Sequence, residues 1–74
     1  MRPVPTLRGM QYEIFIRGLL SETLLAAFPA MHAHRVGTVT VLTGALPDQA
    51  ALYGVLAQIE ALGLELLEVR RLRR

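Results

Sequence analysis

The chain has 74 residues and contains no cysteine, lysine, asparagine or tryptophan. Without cysteine there is no disulfide, no thiolate zinc site, no iron–sulfur cluster and no thiol nucleophile. The same absence leaves the redox compartment unmarked. Aromatic side chains make up only 5% of the sequence, too few to stack bases along several strands. No apolar run approaches the ~18 residues that span a bilayer as a helix. The start, "MRPVPTLRGM", has a basic beginning and two prolines but no apolar stretch. It reads as a disordered or extended tail over residues 1–9 rather than as a signal peptide, and the expected location is the cytoplasm.

Apolar residues, by contrast, are abundant: 53% are hydrophobic and 19% charged. One domain fits this length, near the lower limit at which a single core holds without staples, and much of its surface is exposed. Part of the apolar surface is therefore expected to face a partner. All eight basic residues are arginine, and four of them, Arg70, Arg71, Arg73 and Arg74, fall in the last five positions. Setting these four aside turns the formal charge of +2 into −2 for the rest. The basic character belongs to the end of the chain.

"QYEIFIRG" alternates Tyr12, Ile14 and Ile16 with polar or exposed positions and predicts a half-buried strand. "LLSETLLAAFP" offers Ser21 as an N-cap, Glu22 in the first turn, and Leu24, Leu25 and Phe28 at helical spacing, with Pro29 as a stop. A helix of about two turns is expected there. "MHAHRV" and "TVTVLT", parted by Gly37, predict a β-hairpin. From Pro47 to Gly63 the apolar positions Leu52, Val55, Leu56, Ile59 and Leu62 form one helical stripe, with Asp48 at its start and Gly63 past its end. Ala50, Gly54, Ala57 and Ala61 form a second stripe of small residues, expected to seat the first helix or to meet a helix of another molecule. "LELLEVRRL" supplies a last strand. The order strand, helix, strand, strand, helix, strand predicts an α+β fold over residues 10–72, with a basic end at 73–74. The expected architecture is a ferredoxin-like βαββαβ two-layer sandwich: a four-stranded antiparallel sheet, in the order 4-1-3-2, with two helices on one face.

Two segments, "LTGALPDQAALYGVLAQIEALGLELLEV" (Leu42 to Val69) and "YEIFIRGLLSETLLAAFP" (Tyr12 to Pro29), resemble a group of short uncharacterised bacterial proteins common in actinobacteria. The likeness runs from about Met10 to Leu72, and its most specific residues are Gly44, Asp48 and Gln49 around the second helix start. It implies a small α/β domain and carries no catalytic motif.

Candidate sites follow from these elements. His32 and His34, two apart on a strand, share a face and could reach one metal, but no third histidine or cysteine completes a zinc set. Solvated decoration of an edge strand, with Arg35, is the ordinary reading. Copper-chaperone chemistry needs a paired-cysteine loop where this chain has "RGLLSE". Acylphosphatase chemistry needs an asparagine. Both are excluded, and Ser21 serves better as a cap than as a nucleophile. Arg70, Arg71, Arg73 and Arg74 could bind phosphates without reading bases. No cofactor is implied. If Tyr12, Ile14, Ile16, Val39, Val41, Leu67 and Val69 face the helices, Phe15, Leu42 and Leu66 face outward and form an apolar centre rimmed by Glu13, Glu68, Arg17 and Arg70; on the last strand either of the adjacent Leu66 and Leu67 fits the inward position. The leading expectation is a non-catalytic interaction module that self-associates as a homodimer through this open sheet face. A small-molecule-sensing domain of the ACT type is the alternative, by analogy of fold.

Overall fold

The computed structural model describes residues 10–72 of the chain. The expected tail over 1–9 and the basic end at 73–74 lie outside the described residues. The elements are β1 (Met10–Arg17), α1 (Glu22–Leu25), β2 (His32–Val36), β3 (Val39–Leu46), α2 (Gln49–Ala61) and β4 (Leu66–Leu72). The fold is α+β, with one four-stranded antiparallel sheet in the order β2-β3-β1-β4. β2 and β4 are the edges.

Each element has a local cause. The β2–β3 hairpin turns through Gly37 at φ 61 followed by Thr38, whose φ is negative. That order, positive then ordinary, is the pattern of a type II′ turn, whose twist matches the strands it joins. α1 starts where the Ser21 hydroxyl accepts from the Leu24 N–H at 3.3 Å. It lasts one turn, half the expected length. Beyond Leu25 the bonds tighten to three-residue spacing, Ala27 N–H to Leu24 O at 3.1 Å and Phe28 N–H to Leu25 O at 3.0 Å. Pro29 disfavours a helical Phe28, so the chain leaves the helix early and delivers Phe28 into the core. α2 is capped at both ends. Asp48 Oδ1 accepts from the Ala51 N–H at 2.8 Å. At the other end Leu64 N–H reaches Ile59 O at 3.1 Å and Gly63 N–H reaches Glu60 O at 3.0 Å. This is a Schellman arrangement, and Gly63 takes the left-handed conformation it requires, at φ 73.

One face of the sheet carries the core. Tyr12, Ile14 and Ile16 of β1 lie opposite Gly44, Leu42 and Thr40 of β3. Over them pack Leu20, Leu24, Leu25 and Phe28 from the α1 segment, and Leu52, Val55, Leu56 and Ile59 from α2. Both helices thus cover the same face. The glycine at position 44 lets the chain pass over β3: a Cβ there would lie 2.8 Å from the Ala30 carbonyl oxygen and 3.3 Å from the Met31 Cα.

Two expectations are corrected by this arrangement. β3 has the opposite parity to the one expected: Leu42 faces the core, while Val39 and Val41 share the open face with Arg17 and Phe15. "TVTVLT" alternates in both directions, so composition alone does not choose between registers. Thr40 goes inside because its hydroxyl has two partners there, donating to Gly18 O at 2.7 Å and accepting from Leu20 N–H at 3.2 Å. The small-residue stripe does not seat α1: Ala50, Gly54, Ala57 and Ala61 are exposed, and nothing lies within 4 Å of a Cβ built on Gly54.

Candidate interaction surface

The open face carries part of the expected centre. Phe15 is half-buried on β1, with the Arg70 guanidinium 5.2 Å from its ring centroid. Val41, between its registered neighbours Phe15 and His34, is buried although it lies on this face. Around them Arg70 stands 3.7 Å from Glu13 and 3.4 Å from Glu68, and Arg17 donates to Glu65 at 2.9 Å. These pairs are largely exposed, so each contributes at most about 1 kcal/mol.

Leu42 and Leu66 are not on it. Leu42 is 1% exposed in the core. Leu66 lies opposite Ile16, on the helix-covered side, because β4 carries a bulge: Phe15 pairs with Glu68 and Ile16 with Leu66, which leaves Leu67 unpaired with β1. One extra residue in β4 is enough to bring Leu66 to the side expected for Leu67. Of the expected centre, Phe15 alone remains on the open face.

The histidines also sit on that face. His32 lies opposite Thr43 and His34 opposite Val41, both exposed on the β2 edge. His34 Nε2 is 3.3 Å from Thr43 Oγ1. Among the described residues no group of three or more His, Asp or Glu side chains gathers. The arginine cluster divides: Arg70 lies opposite Glu13 on the open face and Arg71 opposite Tyr12, so the two point to opposite sides. Arg73 and Arg74 lie outside the described residues. Among those described, no helix is long and apolar enough to cross a membrane.

Exposed large apolar residues fall in more than one place. Val36 is 62% exposed opposite Val39 at the β2 edge of the open face, Leu19 is 55% exposed after β1 and Met10 38% at its start, while Tyr53 at 60%, Leu66 at 41%, Leu67 at 40% and Leu62 at 38% lie on α2, on β4 or on the turn between them. Between α2 and β4 runs a groove of about 460 Å³, lined chiefly by Tyr53, Leu56, Ile59, Leu64 and Leu66, with Glu60 at its polar side. Sequence reasoning missed it. The available signal was Tyr53, an aromatic residue standing outside the helical apolar stripe.

A small α+β domain with an apolar groove beside an edge strand is the class these features define. The chain belongs to the family described as Domain of unknown function (DUF8691), whose model matches residues 11–70. No curated protein and no solved structure matches it.

Proposed function

We propose that this protein is a small cytoplasmic interaction module of the ferredoxin-like βαββαβ type, without catalytic activity, that self-associates. The order β2-β3-β1-β4, which is 4-1-3-2 from the other edge, supports the ferredoxin-like reading. The observation that carries self-association is the apolar groove between α2 and β4, on whose lining Tyr53 and Leu66 stay 60% and 41% exposed in a very small domain. Exposed apolar residues scattered singly need no explanation, whereas a contiguous group beside a groove has the anatomy of an interface. This moves the expected contact from the open sheet face to the α2–β4 side. Sedimentation equilibrium at low and high salt tests it. A dimer under both conditions is expected, and a monomer throughout at several hundred micromolar overturns the reading.

The groove of about 460 Å³ favours a second reading, small-molecule sensing of the ACT type at a subunit interface. Its test is the melting temperature against a panel of amino acids and nucleotides. A reproducible rise with one member is the expected sign, and no rise with any overturns it.

A further inference from the structure

The two sheet edges differ in what they can pair with. β2 reads HAHRV, and antiparallel pairing with its own copy about its middle residue sets His34 against the partner's His34 and Ala33 against the partner's Arg35. Nothing there is complementary. β4 reads LLEVRRL, and the same operation about Val69 sets Glu68 against the partner's Arg70, and Arg70 against the partner's Glu68. Residues that face each other across antiparallel strands share a side of the sheet. Glu68 and Arg70 satisfy this, since they lie opposite Phe15 and Glu13 on the open face. The bulge at Leu67 falls before this stretch, so residues 68–72 pair regularly with β1. Among the described residues the outer edge of β4 carries no strand; of the devices that blunt such an edge, proline and lysine are absent, and the bulge at Leu67 and the inward-set Arg71 flank the stretch from Glu68 to Arg70 rather than interrupt it.

We propose that two copies of this chain join by antiparallel pairing of β4 with β4 about a two-fold axis at Val69, merging their sheets into one continuous sheet. The proposal rests on the self-association reading and specifies its surface. Across the open face charge then alternates from Glu13 through Arg70 to the partner's Glu68. Arg70, 3.7 Å from Glu13 and 3.4 Å from Glu68 within its own chain, gains a third carboxylate. On the other face the two α2 helices come to lie on the same side of the joined sheet. The apolar groove, with exposed Tyr53 and Leu66, then borders the partner. An isologous contact of this kind closes on itself and leaves β2, with its polar side chains, as the outer edge.

The test is sedimentation equilibrium on the full chain and on Glu68→Arg and Arg70→Glu, each alone and mixed one to one. Each variant alone sets like charges opposite each other twice per dimer, and the mixture restores both opposite pairs. Dimer dissociation constants about tenfold weaker are expected for each variant, with recovery to within about threefold in the mixture. A dimeric parent whose variants dimerise unchanged overturns this inference and leaves self-association standing. So does a mixture that fails to recover although both variants keep the parent's circular dichroism. A monomeric parent overturns both. Hydrogen exchange on the unaltered chain needs no variant: slowing of the edge-facing amides among residues 68–72 with rising concentration is expected, and concentration-independent exchange overturns the pairing.

Discussion

Replacing Thr40 by valine keeps the shape of a core side chain and removes its hydroxyl. That hydroxyl is buried, at 1% exposure, and no buried polar side-chain atom among the described residues lacks a partner. It donates to Gly18 O at 2.7 Å and accepts from Leu20 N–H at 3.2 Å, tying the chain after β1 onto β3. Arg35 adds a donor to Leu20 O at 3.2 Å, and Gly18 N–H reaches Thr38 O at 2.7 Å. In Thr40→Val the buried Leu20 N–H and the half-buried Gly18 carbonyl oxygen lose this partner. Leaving a buried polar group unpaired costs about 1–3 kcal/mol, and the extra methyl returns about 0.8 kcal/mol at most. A net loss of about 2 kcal/mol is expected. For a chain of this size, with total stability on the order of 4–11 kcal/mol, that is a large fraction. Thr40→Ser, which keeps the hydroxyl and deletes a methyl, is expected to cost about 1 kcal/mol. Urea denaturation followed by circular dichroism measures both. If valine is tolerated as well as or better than serine, the hydroxyl does not anchor this loop and the register argument for β3 fails with it.

Gly44→Ala drives a methyl group to 2.8 Å from the Ala30 carbonyl oxygen, against backbone rather than a movable side-chain end. A loss of about 1–3 kcal/mol in urea denaturation is expected, and an unchanged midpoint would show that residues 30–31 can retreat freely. Gly54→Ala lies at an exposed helical position with nothing in reach of its Cβ, so a gain of about 1 kcal/mol, read as a rise in melting temperature of several degrees, is expected. A fall in stability would reveal close packing on that side of α2. Asp48→Ala removes the α2 cap and is expected to cost about 1 kcal/mol in the same assay; no loss would mean water replaces it fully.

Local chemistry makes several elements legible in the sequence. Ser21 and Asp48 are caps because short acceptor side chains satisfy helix N–H groups, and Gly37 and Gly63 turn because they can take positive φ. The helical spacing of Leu52, Val55, Leu56 and Ile59 names the buried side of α2. The Glu13–Arg70 pairing also follows from period two on neighbouring strands. The side on which β3 and β4 present their residues is not legible in the same way. A strand that alternates threonine with valine is amphipathic in either register, and two adjacent leucines fit either orientation. The choice falls to contacts far apart in the chain: the Thr40 hydroxyl meeting the loop after β1, the close passage of Ala30 over Gly44, and one bulge at Leu67. Those contacts move Leu42 and Leu66 off the open face and set Tyr53 and Leu66 along one groove. Which segments are strand, helix and turn can be read from the residues alone, because those states depend on neighbours a few positions apart. Where the exposed apolar surface lies is settled by long-range packing, because one residue of register moves every side chain of a strand to the other face.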